Sequence, residues 1–130
     1  MGTSRAENLL YFAVDGVTKR DLLREKKMKV TVNDAEIALF AHNGMIYAIQ
    51  ESCPHQGGPL HEAEIEELPD KSLCVKCPWH SWKFSLTNGT CLFPAKRDKT
   101  ALVYPVKVDK EKIMIGFDHI APRLFSTPPD

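Results

Sequence analysis

Cys53 and His55 stand one residue apart in Cys53-Pro54-His55-Gln56-Gly57-Gly58-Pro59-Leu60, and Cys77 and His80 stand two apart in Cys77-Pro78-Trp79-His80-Ser81-Trp82. Residues 56 to 76 separate the two pairs. Thiolate and imidazole together suit zinc or a 2Fe–2S cluster of the mixed-ligand type. A zinc finger pairs Cys with Cys, and His with His at helical spacing. Here each half is mixed, and the first half lies in a turn full of Gly and Pro. The spacing makes sense if two metals share the site and each loop gives a thiolate to one and an imidazole to the other. Two ferric ions and two sulfides carry about +6 and about −4. Four thiolates would leave the site at about −2, whereas two thiolates and two neutral imidazoles leave it at about zero. An electron enters a neutral site at lower cost, so the potential rises. Structural zinc has no such use for two histidines.

The elements that must position these loops are short and strand-like. Leu9–Phe12 opens as a strand, and Met28–Val32 alternates before the turn at Asn33-Asp34. Ile37–Phe40 and Met45–Ile49 flank Asn43-Gly44, a strong hairpin signal. Met45–Ile49 runs straight into the first Cys/His loop and Leu73–Lys76 into the second. Trp82–Leu86 leaves the second loop, and Asn88-Gly89 turns the chain back. Val103–Val108 and Ile113–Phe117 read as a closing hairpin. One short helix is expected near Lys19–Lys27, with only Leu22 and Leu23 on its apolar face. Many short strands at this spacing predict an all-β fold, a small antiparallel sandwich or barrel. One domain over residues 8–118 is expected, followed by a tail over 119–130 that holds Pro122, Pro128 and Pro129.

The motif pair resembles the Rieske 2Fe–2S family. The surroundings resemble it too: Gly57-Gly58-Pro59-Leu60, Pro78-Trp79, Trp82-Lys83-Phe84, Asn88-Gly89 and Phe93-Pro94-Ala95. The link between the halves is more similar to soluble animal members of the family than to bacterial Rieske ferredoxins. The resemblance implies three stacked antiparallel sheets with one [2Fe–2S] cluster at the tip of two loops. Cys53 and Cys77 would hold the inner iron, and His55 and His80 the outer, near the surface. It implies a soluble one-electron carrier between a reductase donor and an acceptor such as an oxygenase, with no catalytic residues of its own. High-potential relatives add a cysteine pair that staples the loops, where this chain has Gly58 and Trp79. They also carry hydroxyl donors, where it has Trp82 and Phe84.

Other features narrow the function classes. Seventeen basic residues balance seventeen acidic ones, which gives no electrostatic case for nucleic acid or an anionic membrane. No apolar run approaches a membrane span, and Met1–Glu7 lacks the apolar stretch of a signal peptide, so a cytoplasmic monomer is expected. An oxygenase would need a further iron held by two His and a carboxylate; only His42, His61 and His119 remain, and they are scattered. A zinc-stabilised interaction module and an electron-transfer subunit of a larger complex are the alternatives. Cys74 and Cys91 read as buried strand residues, His61 and the group Glu62, Glu64, Glu66 and Glu67 as surface. Pro54, Pro59, Leu60, Trp79 and Trp82 would form an apolar collar for a redox partner.

Overall fold

Five consecutive residues of one strand, Ile37 to Ala41, are buried. Neighbouring side chains on a strand point to opposite faces, so this strand must be covered on both. The computed structural model, which describes residues 9–96 and 98–121, shows how. Eleven strands among the described residues form three antiparallel sheets. The middle sheet has the order β2 (Lys27–Val32), β3 (Ala35–His42), β4 (Met45–Gln50), β9 (Val103–Tyr104). The second is β1 (Leu10–Thr18), β11 (Lys112–Phe117), β10 (Val106–Asp109). The third is β5 (Glu64–Glu67), β6 (Leu73–Lys76), β7 (Lys83–Ser85), β8 (Cys91–Phe93).

Two buried clusters divide the apolar residues. Ile37, Leu39 and Ala41 of β3 pack with Leu22, Val30, Ile113, Ile115 and Phe117. Ala38 and Phe40, on the opposite face, pack with Cys53, Leu60, Val75, Cys77, Phe84 and Leu86. The strand is therefore a wall between two cores, and both candidate thiols belong to one of them.

The hairpin turns form as their residues dictate. Asn43 and Gly44 take φ of +51° and +80° between His42 and Met45, and Asn33 and Asp34 take +52° and +63° between Val32 and Ala35. Left-handed pairs of this kind match strand twist in two-residue loops. Helix α1 (Lys19–Glu25) is as short as expected; a reciprocal Thr18–Asp21 capping box starts it, and it buries Leu22. Two expectations need correction. The first strand is longer than Leu9–Phe12, because its register with β11 resumes at Thr18 after an irregularity. Val103–Val108 is two strands. Pro105 has no N–H for a ladder, so the chain changes sheets there, with β9 pairing with β4 and β10 with β11. In the proposed tail, the Asn33 side chain donates to the His119 carbonyl at 2.9 Å and accepts from Ala121 N–H at 2.8 Å. Residues 122–130 lie outside the described residues.

Candidate metal centre

The two Cys/His loops differ in sequence but close by the same hydrogen bonds. In the first, Cys53 N–H donates to the Gly58 carbonyl at 2.9 Å, and the Cys53 carbonyl accepts from Gly57 N–H at 2.7 Å. In the second, Cys77 N–H donates to the Trp82 carbonyl at 2.8 Å, and the Cys77 carbonyl accepts from Ser81 N–H at 2.9 Å. The residue four after each cysteine is left-handed, Gly57 at +80° and Ser81 at +61°. Each loop is anchored at its base. The first is closed by the Ser52–Pro59 bridge and by Leu60 N–H donating to the Glu51 carbonyl at 2.8 Å. The second caps the β6–β7 hairpin at the Lys76–Lys83 pair.

This scaffold brings the four predicted residues together as two pairs. Cys53 and Cys77 are buried, their thiols close enough to interact. The His55 and His80 rings are 4.8 Å apart at 74°. His55 is half-buried and His80 exposed. Among the described residues, no three His, Cys, Asp or Glu side chains gather around a single point. His55 Nδ1 is buried without a hydrogen-bond partner among the described residues, an expensive condition for a ring nitrogen unless something else binds it. Burial pushes the Cys53 thiol up to about 11, and the neighbouring Cys77 adds to the rise against backbone N–H groups of His55 and Gln56. A nearby positive charge would offset that penalty and favour thiolate. Burial, followed by the charges of His80 and Lys99, lowers the His55 pKa and favours the neutral ring that a metal needs. A Cβ built on Gly58 would stand 2.9 Å from Cys77 Sγ and 3.2 Å from the Trp79 ring, so only glycine leaves that approach open. Paired soft donors, an orphaned imidazole nitrogen and a glycine beside sulfur fit a cluster held between the loops.

Residues 15–114 match the family described as soluble Rieske-type ferredoxin. The chain belongs to this family. It is an electron carrier, and its family implies an iron–sulfur cluster. The chain is 35% identical over 85 residues to the human Rieske domain-containing protein, covering 65% of this chain and 54%, about half, of that relative. It is 28% identical over 102 residues to the ferredoxin component of a naphthalene 1,2-dioxygenase system of Pseudomonas putida, covering 78% of this chain and 92% of that one. Its fold superposes on the ferredoxin of carbazole 1,9a-dioxygenase from Nocardioides aromaticivorans IC177 with a TM-score of 0.66 at 24% identity, over 81% of this chain and 95% of the other.

The ferredoxin's surroundings depart from expectation in three places. Leu60 is fully buried rather than part of an exposed collar, because a 3-10 turn at Leu60–Glu62 rolls it into the core beside the cysteines. A charge there would sit in the core. His61 is no free surface residue: its backbone N–H and Nδ1 meet the buried Glu51 carboxylate at 3.0 and 2.7 Å. Sequence offered only one signal for this, a glutamate beside the loop. The acidic group is largely paired, Glu64 with Lys27 at 3.4 Å, Glu66 with Lys83 at 2.8 Å and Glu67 with Lys71 at 3.6 Å. Cys74 and Cys91 are buried in β6 and β8, and the Cys91 thiol donates to the Pro94 carbonyl at 3.0 Å. Among the described residues, no helix is long and apolar enough to cross a membrane.

Proposed function

We propose that the chain holds one [2Fe–2S] cluster, with Cys53 and Cys77 on one iron and His55 and His80 on the other. It works as a monomeric cytoplasmic carrier between a reductase and an oxygenase-type acceptor. The observation that carries this reading is the partnerless, buried Nδ1 of His55 beside His80, next to a pair of buried cysteines. When bound, the group takes up and releases one electron. The chain's own residues do the rest. Leu60, Val75 and Phe84 pack around the cysteines and keep water from the sulfur side. With Nδ1 buried and taken by a metal, neutral His55 would keep its proton on Nε2. Exposed His80 and Trp79, with half-buried Pro54 and Pro59, form the face that a donor or acceptor meets. The ferredoxin components of oxygenase systems among its relatives support that choice of partner. Purified protein is expected to contain iron and sulfide at about two each per chain and to give a Rieske-type paramagnetic spectrum when reduced. His80→Ala abolishes or cripples the cluster, and His119→Ala leaves it intact. Stoichiometric zinc in protein made with ample iron would refute the proposal.

A further inference from the structure

The Trp82 indole lies face to face with the His55 imidazole, with centroids 3.8 Å apart and planes within 7°. Among the described residues no other ring pair is as close or as parallel. The indole is itself held from its own loop: the Trp82 carbonyl accepts the Cys77 N–H, and the ring lies 6.5 Å from fully buried Phe84 at 29°. Among the described residues, the ring contacts given for His55 come from the other loop, from Trp82 and His80. The hydrogen bonds that close its own loop are between backbone groups, and its Nδ1 has no hydrogen-bond partner among the described residues. The two loops are not joined covalently, since Cys53, Cys74, Cys77 and Cys91 are all free.

We propose that Trp82 is a positioning residue whose indole face fixes the ring plane of His55 across the two loops and keeps water from that edge of the cluster. This rests on His55 being a ligand through Nδ1. A planar ligand overlaps the metal according to its rotation, and a ring stacked on a fixed plane has one rotation available. Water admitted to the edge favours the reduced, more negative state, so losing the indole shifts the equilibrium toward reduction.

The test uses cluster-loaded protein with Trp82→Phe, Trp82→Leu and Trp82→Ala, read by the hyperfine couplings of the ligand nitrogens and by redox titration. Trp82→Ala and Trp82→Leu are expected to spread the coupling of one of the two imidazole nitrogens, while Trp82→Phe keeps it narrow. Trp82→Ala should also shift the reduced-to-oxidised ratio at fixed potential about threefold to tenfold toward reduced. At about 59 mV per tenfold for one electron, that is about 30 to 60 mV. Trp82→Phe should stay within about twofold, about 18 mV on the same constant. Unchanged couplings in both Trp82→Ala and Trp82→Leu overturn the inference. If Trp82→Ala loses the cluster, the remaining pair decides: a spread in Leu but not Phe supports it, and equal behaviour overturns it. Wild-type spectra without two ligand nitrogens would instead refute the ligand assignment.

Discussion

Gly58 brings the first loop up against the sulfur of the second, and a single methyl group is enough to test how tight that passage is. The Cβ of Gly58→Ala would enter within 2.9 Å of Cys77 Sγ, with the Trp79 ring closing the other side. Overpacking of this kind costs about 1–3 kcal/mol. The variant is expected to unfold at lower urea than wild type and to release iron to a chelator several-fold faster, while Gly44→Ala, in open space, leaves iron release unchanged. Equal release from Gly58→Ala and wild type would show that the loops have room to part. At this scale the gathering of Cys53, His55, Cys77 and His80 was legible, because their types and spacing have few other uses. Leu60 was not. An apolar side chain beside a loop reads the same whether it faces solvent or core, and the 3-10 turn that buries it has no strong sequence signal. The Glu51–His61 pair was hidden for a different reason: it depends on the fold bringing residues ten apart into one corner.

Among the elements, the turn between β7 and β8 carries the sharpest constraint. Gly89 has φ of +79°; its N–H donates to the Ser85 carbonyl at 2.8 Å, and its carbonyl accepts from Ala101 at 2.9 Å. A Cβ there would fall 1.8 Å from the Ala101 carbonyl oxygen, a backbone atom that cannot swing aside. Left-handed backbone costs a residue with a Cβ about 1–2 kcal/mol, and overpacking about 1–3 more. Gly89→Ala is therefore expected to destabilise the protein by about 2–5 kcal/mol in urea unfolding. A loss under about 0.5 kcal/mol, the scale of an ordinary surface substitution, would contradict it. Asn88-Gly89 announced this turn, as Asn33-Asp34 and Asn43-Gly44 announced theirs, because such residues tolerate the left-handed region. β5 gave no such notice. Glu64, Glu66 and Glu67 form a strand through the β6 ladder, not through an apolar pattern of their own. The Lys83 ammonium, bonded across that sheet, holds Glu66 below the usual carboxylate range.

For the whole molecule, the decisive quantity is the potential at which it gives up its electron. Hydrogen bonds to cluster sulfur raise a Rieske potential, and they come from hydroxyl groups and turn amides. Phe84 is fully buried and Trp82 is stacked on His55, and neither carries a hydroxyl. Gly58 and Trp79, in contact, make no disulfide between the loops. A redox titration is expected to place the midpoint near the low end of the Rieske range, about −150 mV rather than about +300 mV. A midpoint well above zero would mean that other donors reach the sulfurs. The three-sheet layering was legible only through the family resemblance. Strand patterns alone left sandwich and barrel open, because a strand buried on both faces, such as β3, loses the alternation that would tell which sheet it joins.

On the proposed ligand set, that doubly buried strand would divide the molecule's dependence on iron. Ala38 and Phe40 lean on the core that contains Cys53 and Cys77, while Ile37, Leu39 and Ala41 lean on one that contains neither. A ligand stabilises the structure that its binding requires, and local stability in proteins comes in separable cooperative units. Metal held by those cysteines would therefore reinforce one chamber directly and the other only through their party wall. With iron scarce, the chamber built around Ile113 and Ile115 is expected to keep its own apolar contacts, and the loss of order would fall on the half that holds the cysteines.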